Sequence, residues 1–188
     1  MMPSDTLKKA ILGCGKRGVT KKPKLMMHGH TDEIYTPDYA LEPLLPFIQK
    51  EWVIWECAYG NGALANHLKR RGFNVIGGGE DFLQNKRECD VIITNPPYSN
   101  KERFLKRAYE LNKPFAFLMP LTALEGKKRG ELYKKYGIQL IIPNCRIDFI
   151  TPKNGKSSWF ATAWFTHGLD LPKDLLFVEL SMMKHSRD

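Results

Sequence analysis

Val53-Ile54-Trp55-Glu56-Cys57 is an apolar run with a single acid in it, and it leads directly into Ala58-Tyr59-Gly60-Asn61-Gly62. The stretch that follows, 62–71, reads as an amphipathic helix. A strand, a G-x-G turn and a helix in this order bring backbone amides to the carboxyl edge of a sheet. A ligand can approach them closely because no Cβ intervenes. Glycine also serves such turns for steric reasons, and the lack of a third glycine argues against a dinucleotide fingerprint. Glu56, at the strand end, can accept a hydrogen bond from a cationic ligand group or attract one.

The alternation continues on the C-terminal side. Apolar runs recur at 73–76, 91–94, 115–119 and 138–142, with helices expected at 100–112 and 126–136. Runs of this length suit strands buried on both faces of a parallel sheet. Strands alternating with helices imply an α/β domain with right-handed crossovers. On the N-terminal side, Thr36 and Pro37 suit a helix start. Leu41, Leu44, Leu45 and Ile48 share one helical face, although Pro43 and Pro46 shorten or break that helix. The end of the chain changes character. Strands are expected at 145–150, 158–166 and 175–180, with Lys153-Asn154-Gly155-Lys156 turning between the first two, so a C-terminal antiparallel hairpin is expected.

Asp90-Val91-Ile92-Ile93-Thr94-Asn95-Pro96-Pro97-Tyr98 carries the chemistry. A buried strand delivers an amide, two rigid prolines and an aromatic ring to the carboxyl edge. Prolines donate no backbone hydrogen, which leaves nearby carbonyls as acceptors. The Asn95 side-chain oxygen and the Pro96 carbonyl can both accept from one amino group. An aromatic amine is a poor nucleophile because its lone pair is delocalised, and two acceptors on its hydrogens return electron density to nitrogen. The Tyr98 ring offers a stacking surface for a planar base.

Together the two motifs resemble the class I S-adenosylmethionine-dependent amino-methyltransferases of N-P-P-Y type, with small phage-type DNA adenine-N6 enzymes the most similar. The resemblance covers about residues 35–166. It implies a single-domain Rossmann-like fold with helices on both faces of a mostly parallel sheet, S-adenosyl-L-methionine as cofactor, and no metal. It implies catalytic roles for Asn95, Pro96, Pro97 and Tyr98. Tyr35, Thr36 and Pro37 resemble the segment that closes over the methionine end of the cofactor. Glu56, Ala58, Gly60 and Gly62 match the cofactor turn, Asp81 and Phe82 resemble the pair that meets the adenine, and Asn95 completes the set. One departure stands out. The acid that holds the cofactor ribose is missing at the end of the second strand, where Ile76 runs into Gly77-Gly78-Gly79-Glu80, and Glu80 is the candidate replacement.

The chain has 188 residues, 43% hydrophobic and 26% charged, which fits a folded domain and excludes a disordered one. No apolar run is long enough to span a bilayer, so a cytoplasmic protein is expected. The 29 lysines and arginines against 20 acids give a net charge of +9, which points to a polyanion, with nucleic acid first and DNA ahead of RNA. Residues 1–31 form a basic arm with Lys8, Lys9, Lys16, Arg17, Lys21, Lys22 and Lys24. It either holds phosphate or is a mobile tail; 32–188 is the expected methyltransferase domain. With no room for a separate recognition domain, low sequence specificity follows. Phosphate contacts are expected from the arm, Lys127, Lys128, Arg129, Arg146, Lys153 and Lys156, and Trp159 and Phe160 are candidates for the base pocket. His28 and His30 are a weak metal motif. The four cysteines, Cys14, Cys57, Cys89 and Cys145, have neither zinc nor disulfide spacing. The alternatives are an adenine-N6 methyltransferase of RNA and a non-catalytic binder of nucleic acid or cofactor.

Overall fold

The structure is a computed structural model that describes residues 34–150, the backbone of 156–157, and residues 160–180. Calls for the basic arm, His28, His30, Lys153 and Trp159 fall outside them, as does the Lys156 side chain. The strands are β1 (Val53–Glu56), β2 (Asn74–Gly77), β3 (Val91–Thr94), β4 (Phe115–Pro120) and β5 (Gln139–Pro143), then β6 (Phe149–Ile150), β7 (Lys156–Ser157), β8 (Thr162–His167) and β9 (Leu175–Val178). Three helices lie between them: α1 (Ala63–Arg70), α2 (Lys101–Leu111) and α3 (Lys127–Tyr136). These match the expected strands and helices to within about two residues up to β5.

The main sheet has seven strands in the order β2-β1-β3-β4-β8-β5-β9. Every neighbouring pair is parallel except those made by β8, which runs antiparallel between β4 and β5. The expected hairpin is a separate pair: β6 with β7, antiparallel. The strand expected from 158 begins at Thr162 and joins the main sheet. It can sit inside because Ala163, Trp164 and Phe165 are all buried, one face to each side. Trp164 also donates its indole N–H to the Ala40 carbonyl at 2.8 Å.

The alternation of side chains divides the core in two. On one face Ile54, Val91, Ile93 and Leu118 pack with Leu64, Ala65 and Leu68 of α1. On the other, Trp55, Ile92, Phe115 and Phe117 pack with Phe104, Leu105 and Ala108 of α2. The expected helix after Pro37 is two 3-10 turns, Asp38–Leu41 and Leu45–Phe47. Leu41, Leu44 and Ile48 are buried as the spacing required, but Pro46 opens the second turn and the segment does not extend into an α-helix. Thr36 does not cap it, because Pro37 occupies the cap position and the Thr36 hydroxyl is engaged elsewhere. No helix among the described residues is long and apolar enough to cross a membrane.

Candidate active site

β1 and β3 are adjacent, with Ile54 opposite Val91 and Trp55 opposite Ile92, so their carboxyl ends open side by side. A cavity of about 650 Å³ lies there. It is lined by Tyr35 from the N-terminal segment, Ala58, Tyr59, Gly60 and Asn61 from the β1–α1 turn, Gly78–Phe82 from the loop after β2, and Asn95 and Pro97 from the end of β3. Thr36 and Glu56 line a smaller recess that shares Tyr35, Ala58, Gly60 and Asn95 with it. Gly62, Pro37, Pro96 and Tyr98 line neither.

The β1–α1 turn is built by its glycines. Gly60 and Gly62 have φ of +51° and +78°, a region that side chains disfavour. A Cβ on Gly60 would meet only the Ala58 carbonyl at 3.8 Å, so the space beyond it is open for a ligand. A Cβ on Gly62 would lie 2.8 Å from the Tyr59 ring, so that glycine serves packing. The same Tyr59 ring lies under Gly77 and Gly78. It wedges apart the two glycine turns, a role the sequence reading missed.

Glu56 is 2% exposed. Its Oε1 accepts from the Ala58 amide at 3.0 Å and from the Thr94 hydroxyl at 2.5 Å. Burial pushes its pKa up to about 7, against the opposing pull of these two bonds. The carboxyl therefore ties β1 to β3 and shapes the turn, while remaining on the recess wall.

The loop after β2 explains the missing acid. A Cβ on Gly77 would stand 2.2 Å from the Glu56 carbonyl, so no side chain fits at the strand end. Gly78 and Gly79 follow with φ of +108° and +75°, and Glu80 reaches the cavity wall. Its carboxylate is gripped by Arg87, with Nε donating to Oε2 at 2.7 Å and Nη2 donating to Oε1. Asp81 caps the turn that follows, its Oδ1 accepting from the Leu83 amide at 2.9 Å. Phe82 is 1% exposed, and its ring centroid lies 5.2 Å from Trp55 and 5.0 Å from Phe104; it is a core residue whose edge reaches the cavity.

Asn95 donates from Nδ2 to the Thr36 hydroxyl at 3.2 Å, whereas its Oδ1 is buried without a partner among the described residues. A buried acceptor in that state costs free energy until a donor arrives. The Pro97 carbonyl accepts from the Asn100 amide at 2.9 Å and the Tyr98 carbonyl from Lys101 at 2.8 Å. The Tyr98 ring is half-buried and edge-on to Phe160, with centroids 5.4 Å apart. Tyr35 is anchored by a two-way bridge to Ile150, donating at 2.8 Å and accepting at 3.1 Å.

Of the proposed phosphate contacts, Arg129 is committed to the fold. It is 15% exposed, and its Nε donates to the Ala123 carbonyl at 2.8 Å. Lys128 is exposed and lies 3.3 Å from Glu102.

A central β1–β3 crevice with a reversed strand set into the far half of the sheet defines a class I methyltransferase fold. A solved structure shares this fold. The modification subunit of a candidate type I restriction enzyme from Vibrio vulnificus superposes with a TM-score of 0.50 at 12% identity, over 84% of this chain and 49% of that one. This chain therefore spans about half of that subunit. A candidate RNA methyltransferase of Pyrococcus horikoshii gives 0.49 at 16% identity, over 92% of this chain and 100% of that one. A TehB-like S-adenosylmethionine-dependent methyltransferase of Corynebacterium glutamicum gives 0.44 at 11%, over 71% and 87%. No protein-family model and no curated protein matches the sequence.

Proposed function

We propose that this chain transfers a methyl group from S-adenosyl-L-methionine to the exocyclic amine of a nucleic-acid base, adenine N6 in DNA. The observation that carries the reading is the partnerless, buried Oδ1 of Asn95 at the cavity wall, beside an open glycine turn. Both features fit a bound cofactor and an amine donor. The cofactor supplies an electrophilic methyl group on a sulfonium centre. Tyr35, Thr36, Pro37, Glu56, Ala58, Gly60, Gly62, Asp81, Phe82 and Asn95 would hold it. Asn95 Oδ1 and the Pro96 carbonyl accept the two amine hydrogens and sharpen the nitrogen lone pair. Pro97 fixes the bend, and Tyr98 supports the face of the base, with Phe160 at its edge. The chain's contribution is placement and charge stabilisation. Residues 32–188 carry the activity and the basic arm at 1–31 supports binding to phosphate.

Incubation with tritiated S-adenosylmethionine and matched DNA, RNA and protein substrates tests the reading. Label in DNA adenine that disappears in Asn95→Ala supports it; label in RNA alone moves the substrate to RNA. One observation favours a non-catalytic binder instead: Glu80, the candidate ribose acid, is held by Arg87. Cofactor binding without transfer to any substrate would establish that reading.

A further inference from the structure

We propose that His67 is a positioning residue that holds the Asn95 amide in place through Thr36, an inference that rests on the methyl-transfer reading above. Thr36 is 2% exposed and is held at both of its polar ends. Its hydroxyl accepts from Asn95 Nδ2 at 3.2 Å, and its carbonyl lies 3.0 Å from His67 Nε2. A carbonyl can only accept, so Nε2 carries the hydrogen. Burial lowers the His67 pKa against the opposing attraction of Asp38. Nδ1 faces Asp38 Oδ1 at 2.9 Å. The Arg70 guanidinium contacts Nδ1 and lies 3.6 Å from the same Asp38 oxygen. Arg71 donates to Asp38, to the His67 carbonyl at 3.3 Å and to Glu42 at 2.6 Å. The imidazole is thus fixed on its far side by Asp38 and Arg70 and presents Nε2 to Thr36.

The consequence reaches the reacting atoms. An asparagine amide has two ends of nearly equal shape, and only Oδ1 can accept from a substrate amine. With the Thr36 carbonyl pinned to α1, its hydroxyl stays within reach of the Asn95 amide, and the bond from Nδ2 holds that amide at the cavity wall. Without His67, a buried carbonyl loses its donor and the 35–37 segment is released from α1. Displacements of that kind at a positioned group cost rate out of proportion to their size. α1 also begins at the Gly60–Gly62 turn, so a single helix sets both the cofactor turn and the amide.

The test compares H67Q, whose Nε2–H can reach the Thr36 carbonyl, with H67L and the shorter H67N, which cannot serve it. Two readouts are followed: kcat and KM for methyl transfer, and the Asn95 side-chain amide pair in a ¹⁵N spectrum, assigned by its loss in N95A. H67L and H67N are expected to lower kcat by about tenfold or more with KM unchanged, and to move the amide pair; H67Q should restore both. If H67L does not fold, H67N makes the same comparison. Equal losses in H67Q and H67N, or an amide pair unmoved in H67N, would overturn the proposal. Should the wild-type protein transfer no methyl group while the amide pair still responds to H67N and returns in H67Q, the positioning stands and the assigned function falls.

Discussion

At the scale of single residues, Glu56 makes the most definite demand. Its folded pKa of about 7 lies above the ordinary value of 4.5, so between these limits the folded state holds a proton that the unfolded state has released. The stability this group contributes is present in full below pH 4.5 and is lost as pH rises through about 7. Thermal melts of wild type and Glu56→Gln across that range should show the loss in wild type and a flatter profile in the variant, whose neutral amide keeps an acceptor for Ala58 and Thr94. If Glu56 also meets a cationic ligand group, the ligand favours the ionised carboxyl. Affinity for S-adenosylmethionine should then rise with pH through about 7 and binding should release a proton. Calorimetry in two buffers of different ionisation enthalpy detects it, and the absence of release removes Glu56 from the ligand. Asn95→Ala and Tyr98→Ala make a separate demand: methyl transfer should fall by a factor of about 100 or more while circular dichroism stays native. The sequence marked Glu56, Asn95 and Thr36, but not Thr94 and His67, nor the bonds that join them. A strand threonine, a segment threonine and a helix histidine carry no local pattern that announces a hydrogen bond across the fold.

At the scale of elements, the glycine turns do two different jobs, and substitution separates them. Gly60→Val should abolish cofactor binding, because the new side chain fills the open approach while the Ala58 carbonyl is its only near neighbour. Isothermal titration reads that loss. Gly77→Ala should instead lower stability by roughly 1–3 kcal/mol, the usual cost of overpacking, because its Cβ would strike the Glu56 carbonyl; the drop in melting temperature measures it. Strands β1 to β5 were legible because their apolar runs record burial on both faces. Their order was not, since a run of Ala163, Trp164 and Phe165 says that β8 is buried and not which neighbours bury it. The Gly77–Gly79 run read as a lost acid, whereas its physical cause is the close approach of β2 to β1. The 35–48 segment was misjudged where Pro37 took the cap position expected of Thr36.

At the scale of the whole molecule, charge governs how nucleic acid would be held under the proposed function. If the net charge of +9 serves to bind phosphates, log K should fall with log salt at roughly −0.9 per contact on duplex DNA. Replacing the seven lysines and arginines of the arm by glutamine should flatten that slope for all sequences alike and leave cofactor affinity unchanged. An unaltered slope would shift the contacts to Lys127 and the other cations of the domain. The reversed strand has a bearing on how the molecule comes into being. A ribosome finishes β4 long before β8, yet β4 has its permanent partner on that side only when Thr162–His167 arrives. Until then a nascent chain carries an open edge built from Phe115–Pro120, every residue of which is buried in the finished sheet. β5 must also wait, since a place has to be kept between it and β4. Synthesis interrupted ahead of Thr162 would leave an adhesive ribbon that another copy can extend, so the β4 edge is protected only by the late arrival of β8.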